Sequence, residues 1–282
     1  MISQCQRKLA ALFVLMAGTL CTQAQYFYQD LLFAQKTEQQ FRQLKAAGVK
    51  TITANARNAD GSIPDNFSIE QRADFAANTL STQTLSDFTG RSELVSRFDA
   101  NGKLQETIDQ SGSFSSTTRY SYNASGWLQS IAVEGSDTLQ QFSMKEQRIY
   151  TYNSSGQPTS MLRIKNNTDT TRIVFVAAEN GRPGEEQWWK GARLLETYYY
   201  YYDDQLRLTD VARYNQRAQR ILPDLVFEYT AEGLVARQLS VPANSKQYRT
   251  YRYSYDSRGL KIKEEILNKQ NTLEAIITYS YL

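Results

Sequence analysis

The chain has 282 residues, enough for one large or two ordinary domains, and 41% of them are hydrophobic, which is enough to build a core. It contains no histidine, and its two cysteines, Cys5 and Cys21, both lie at the start. Beyond that start this excludes Ser-His-Asp and Cys-His nucleophiles, histidine as a general base, and thiolate metal sites.

Residues 1–24 have Arg7 and Lys8, an apolar run from Leu9 to Leu20, and Thr22-Gln23-Ala24. That pattern describes a secretory signal peptide cut after Ala24, too short in its apolar part to span a bilayer. Leu20 before Cys21 departs from the small residue expected at a lipid-attachment cysteine. The mature chain is therefore expected to be exported, at the periplasm, outer surface or exterior of a Gram-negative bacterium, with no disulfide and no transmembrane span. It would carry 30 basic and 29 acidic residues, net +1. That balance gives no electrostatic reason to expect nucleic acid as a partner.

Residues 25–90 are expected to form a mixed helix and strand cap. Thr37 with Gln40 fits a capping box, Phe41 and Leu44 share a helical face, and Gly48 can end the helix. Val49 to Arg57 alternates as a strand, Asp60-Gly61 signals a turn, and Ser68 with Gln71 predicts a second short helix over SIEQRADFAANTL.

Residues 91–282 are periodic. Turn glycines fall at Gly102, Gly126, Gly156, Gly181, Gly233 and Gly259, with Gln205 at the place of a missing one. Phe98, Tyr122, Tyr152, Tyr229 and Tyr255 each stand four residues before such a glycine. In YSYNASGW, Tyr120 and Tyr122 share a strand face, Asn123 can cap a turn and Gly126 can take its left-handed position. Each unit thus reads as one β-hairpin. The expected fold is mainly β: an antiparallel β-hairpin repeat array of roughly 14 strands, a long twisted or coiled meander sheet with a small N-terminal helical cap. With 19 Tyr and 12 Phe in the chain, aromatic residues would fill such a sheet.

Tyr-Xaa-Tyr-Asp/Asn-Xaa-Xaa-Gly-Xaa-Leu, clearest at Tyr253–Leu260 and Tyr120–Leu128, resembles the tyrosine-aspartate (YD) repeats of the Rhs and teneurin proteins. The resemblance implies a secreted hairpin array used as a surface or scaffold. Large members coil many more units into a shell around a cargo, whereas about seven units are present here.

The remaining route to catalysis is a carboxylate pair, with Glu185/Glu186 and Asp203/Asp204 as candidates. Neighbouring strand residues point to opposite faces, so neither doublet is a working pair by itself. In WWKGARLLETYYYYYDD, Tyr198, Tyr200 and Tyr202 should face one side and Tyr199 and Tyr201 the other. Trp188, Trp189, Tyr199 and Tyr201 form a candidate aromatic platform for a ligand. Asn66, Asn123, Asn153 and Asn166 sit in Asn-Xaa-Ser/Thr triplets, with Asn123 and Asn153 better explained as turn residues.

The leading expectation is a non-enzymatic binding or scaffold module at the cell envelope, with no metal or cofactor and with an envelope glycan or surface protein as partner. The alternatives are a carboxylate-dependent enzyme acting on polysaccharide and an outer-membrane β-barrel. The charged strand residues Lys261, Lys263 and Glu265 weigh against a lipid-facing wall.

Overall fold

The structure, a computed structural model, describes residues 26–86, 90–138, 141–242 and 247–282. The expected signal peptide lies outside them. One helix, α1 (Tyr28–Ala47), precedes eighteen strands among the described residues. They are β1 (Thr51–Asn58), β2 (Ser68–Asp74), β3 (Thr79–Ser86), β4 (Gly90–Phe98), β5 (Leu104–Ser111), β6 (Phe114–Tyr122), β7 (Leu128–Asp137), β8 (Ser143–Tyr152) and β9 (Pro158–Lys165). There follow β10 (Asp169–Ala177), β11 (Pro183–Lys190), β12 (Arg193–Tyr202), β13 (Leu208–Asn215), β14 (Arg220–Tyr229), β15 (Val235–Ser240), β16 (Arg249–Tyr255), β17 (Lys261–Leu267) and β18 (Leu273–Tyr281).

Each strand pairs antiparallel with the next, and β1 pairs with both β2 and β18, from Ile52↔Tyr281 to Asn58↔Ala275. The sheet is a closed barrel. This corrects the expected open or coiled hairpin-repeat array: the hairpins exist, but the first strand closes on the last. An open sheet of this length would leave two unpaired edges, and closure satisfies both.

The N-terminal cap is corrected too. SIEQRADFAANTL forms β2, a turn and the start of β3, with Ile69, Gln71 and Ala73 facing inward and Asp74 Oδ1 accepting from Ala76 and Ala77 N–H at 2.9 Å. α1 does end at Gly48, whose φ is +68°. However, it starts earlier than the capping box predicts, and Thr37 is buried in its middle.

The helix is not stacked on the end of a sheet. Its side chains reach walls all round the barrel: Gln40 contacts Gln71 on β2, Glu38 the start of β5, Asp30 contacts Arg148 on β8, and Gln43 the turn after β16. α1 therefore lies in the lumen, and its Phe41 stacks on Phe98 with ring centroids 4.1 Å apart. The inner wall is the core, including Leu104, Ile131, Met161, Ile173 and Val211.

The repeat motif does two jobs. Asn123 Oδ1 accepts from Ser125 and Trp127 N–H at 3.0 Å, and Gly126, at φ +77°, donates to Asn123 O at 2.9 Å. In the unit without glycine the left-handed residue is Leu206, at φ +61°, rather than Gln205. The tyrosine four places before the turn residue then reaches the preceding hairpin. Tyr122 OH donates to Leu104 O, Tyr152 to Leu128 O, Tyr202 to Pro183 O, Tyr229 to Leu208 O and Tyr255 to Val235 O, over 2.5–2.8 Å.

Candidate functional site

The N-terminal end of α1 is seated on a buried polar network. Glu186, at 0% exposure on β11, accepts from Phe27 N–H (2.7 Å), Tyr28 N–H (2.8 Å), Trp188 Nε1–H and Tyr200 O–H (both 2.6 Å). No side chain of the helix's own caps this end, so Glu186 supplies the acceptor from across the lumen, where the helix dipole also favours an anion. Burial pushes the Glu186 carboxyl above its ordinary range against the pull of these four donors. Burial and then the Glu186 charge push the Tyr200 phenol well up, so it donates as a neutral group.

Beside it, Arg148 Nη1 bonds both Asp30 oxygens at 2.8 Å and Arg148 Nε bonds Glu146 at 2.7 Å. Arg163 closes the network on Glu146 at 2.6 Å, and Tyr150 OH donates to Asp30 at 2.7 Å. The Phe27 ring lies under both guanidinium groups, at 5.3 and 5.6 Å. Burial raises the Glu146 carboxyl, but the Arg163 hydrogen bond and the two arginine charges outweigh it and hold the group below its ordinary range. Two acids and two arginines are thus matched, and Glu186 is matched by the helix end.

This placement accounts for several sequence candidates. Glu186 points inward to the plug, whereas Glu185 pairs with Tyr199 on the outer wall, so the doublet is split across the barrel wall. Asp203 caps its turn, accepting from Gln205 and Arg207 N–H, and pairs with Arg207 at 2.7 Å. Among the described residues, no group of three or more His, Cys, Asp or Glu could hold a metal ion.

The four platform residues are also divided. Trp188 faces inward, against Phe27 at 4.8 Å and Tyr198 at 5.5 Å, because Glu186 and Trp188 share a strand face. Trp189, Tyr199 and Tyr201 face outward, and Tyr201 is 48% exposed. Both tryptophans lie near the end of β11, ahead of the turn at Gly191-Ala192.

Around the outward aromatics the wall is mixed: exposed aliphatic side chains stand beside Arg172, Glu185 and the Lys190–Asp169 ion pair (2.8 Å). Leu162 lies opposite Arg172, Arg172 opposite Trp189 and Trp189 opposite Leu194, with Arg172 over the Trp189 ring at 5.9 Å. Val176, Leu195, Tyr214 and Ile221 are also exposed on β10 and β12–β14. Sequence reasoning missed these aliphatic neighbours, although the strand parity set by Tyr199 and Tyr201 would have found some of them.

On β4–β8 the outer wall is dominated by ion pairs. Arg97–Glu106, Glu106–Arg119, Arg119–Glu134 and Glu134–Lys145 run across β4 to β8. Glu228–Arg237, Lys263–Glu265 and Glu70–Arg72 continue the pattern on β14–β15, β17 and β2. Lys261, expected to face outward, instead pairs with the buried Glu264 at 2.8 Å.

No protein-family model and no curated protein matches the sequence. Solved structures that the chain resembles at low similarity include a TcdB2-TccC3-Cdc42 complex, at 15% identity and TM-score 0.34. A Photorhabdus luminescens Tc holotoxin pore is similar at 16% identity and the same TM-score. In both, the match covers 76% of this chain but only 12% of the other. A porin-like protein from Bacteroides uniformis matches over 83% of this chain and 98% of its own, at 9% identity and TM-score 0.39. Likenesses this distant carry no functional argument. The class is defined by the fold itself: a closed, helix-plugged antiparallel β-barrel, the architecture named in the outer-membrane alternative rather than in the scaffold array.

Proposed function

We propose that the chain is an exported, outer-membrane-associated β-barrel that works through the outside of its wall, meeting the membrane surface along β9–β13. The observation that carries this reading is the concentration of exposed aliphatic and aromatic side chains on β9–β13, beside the Lys190–Asp169 ion pair, against the chain of ion pairs that crosses β4–β8. Trp and Tyr are the side chains that suit a membrane interface, with apolar bodies and polar tips. The paired ions of β4–β8 belong in water, because each Arg or Lys facing mid-bilayer lipid costs roughly 2–4 kcal/mol. A lumen occupied by α1 and its network argues against a conduit.

Fractionation of the native cell together with vesicle flotation tests the proposal. The expected result is recovery with the outer membrane, resistance to salt, release by alkaline carbonate, and loss of vesicle flotation on changing Leu194→Ser and Leu195→Ser together. Release by salt alone would remove the apolar contact. Retention through carbonate until detergent is added would replace it with a barrel that spans the bilayer.

A further inference from the structure

On the outer wall of β15–β17, at the rim away from the glycine turns, lies an open depression of ≈ 280 Å³. Arg237, Arg252, Lys269, Asn271, Tyr248 and Thr250 line it, and no acidic side chain does. Arg237 and Arg252 stand directly opposite each other in adjacent strands, a like-charge pairing that weakens a sheet. The nearby acids differ in what they hold. Glu228 meets Arg237 from β14, on the side away from Arg252, and Glu265, opposite Arg252, is held by Lys263 at 2.5 Å.

Arg252 Nη2 instead donates to Asn271 Oδ1 at 3.1 Å. Asn271 is fixed by its turn, with φ +61° and its N–H on Asn268 O at 2.9 Å. Tyr248 OH donates to Lys269 O at 3.0 Å, which anchors the same turn from the other side. Arg252 is therefore held on the Asn268–Asn271 turn, and among the described residues the lining itself carries three cations and no carboxylate, with Glu228 on Arg237 and Glu265 on Lys263.

We propose that this depression binds a phosphoryl group, with Arg252 and Arg237 as the main donors and Lys269 as a third cation. Planar guanidinium groups match tetrahedral oxyanions through paired hydrogen bonds, and a dianion relieves the repulsion between the two arginines. At about 30 Å³ per water, the space exceeds one phosphate and leaves room for the group that carries it. The source is either a soluble phosphate or a lipid headgroup. The site stands on its own geometry and does not depend on the membrane contact of β9–β13.

Calorimetric titration with inorganic phosphate at constant ionic strength tests it, comparing the unaltered protein with Arg252→Gln. The expected result is binding that Arg252→Gln weakens at least about tenfold. Without phosphate, that variant should have an unchanged or higher melting temperature, because it removes the like-charge pair. No binding by the unaltered protein, or equal binding by the variant, overturns the site.

Flotation with phosphatidate vesicles in the Leu194→Ser, Leu195→Ser background then identifies the source. Capture that depends on Arg252 assigns a headgroup, and no capture with phosphate binding intact assigns a soluble ligand.

Discussion

At the scale of single residues, a carboxylate surrounded only by donors must be replaced by something that accepts, or the donors are stranded. Changing Glu186→Ala leaves two backbone N–H groups, an indole N–H and a phenol without their acceptor. At about 1–3 kcal/mol for each buried orphan, and allowing for relaxation, the loss should be about 3–5 kcal/mol in urea unfolding. Glu186→Gln keeps one acceptor and should lose less. The two buried acids also respond oppositely to pH. Glu146, held below its ordinary 4.5, contributes stability that is complete above that value and lost as pH falls through its lower folded value. Glu186, pushed above 4.5, contributes stability that is complete below 4.5 and lost as pH rises through its folded value. Urea unfolding from about pH 3 to pH 7 should therefore show a weaker acid-side loss in Glu146→Gln. An unchanged acid limb would contradict the network. None of this was legible in the sequence. Glu186 stood there as half of an acidic doublet, and its partners lie 159 and 158 residues away at Phe27 and Tyr28.

At the scale of the hairpin, the sequence spoke plainly about turns. Asn or Asp at the first position and glycine three later were enough to place Asn123–Gly126 and Asn153–Gly156 at strand ends. The purpose of the tyrosine before each turn was hidden, because its acceptor is a carbonyl on the preceding hairpin and carbonyls carry no sequence signal. Ser68 with Gln71 misled for a related reason. A capping-box pattern is satisfied by local chemistry, but the inward alternation of Ile69, Gln71 and Ala73 joins a sheet that outweighs it. Two glycines separate backbone strain from packing. Gly126 and Gly156 have nearly the same φ, +77° and +76°, yet a Cβ at Gly126 meets nothing within 4 Å, while one at Gly156 would lie 2.8 Å from Trp127 Cε2. Gly126→Ala should cost about 1–2 kcal/mol for the left-handed backbone alone, and Gly156→Ala clearly more. Equal losses in thermal unfolding would mean that Trp127 is not packed over that turn.

At the scale of the whole molecule, the open array and the closed barrel have the same local alternation, the same turns and the same neighbours for every strand but two. What separates them is the pairing of β1 with β18, between residues more than 200 positions apart, so the sequence could not decide it. The helix pointed the wrong way for the same reason: an apolar face on Phe41 and Leu44 requires a partner but does not say whether that partner is an end or an interior. Closure can be tested directly at the seam. Asn55 and Thr278 are paired across it, both exposed, and Thr278 Oγ1 lies 3.5 Å from Asn55 O. Directly opposite residues in an antiparallel pair have Cα atoms about 4.5–5.5 Å apart, within the range a disulfide spans. With Asn55→Cys and Thr278→Cys together, mild oxidation should give an intramolecular disulfide in high yield, seen as faster migration without reductant and the loss of two free thiols. The chain's own cysteines, Cys5 and Cys21, fall in the expected signal peptide and would not compete in the processed protein. In an open array the two thiols would sit at opposite ends of the sheet and stay free, so a reduced double variant would restore that arrangement against the closed one.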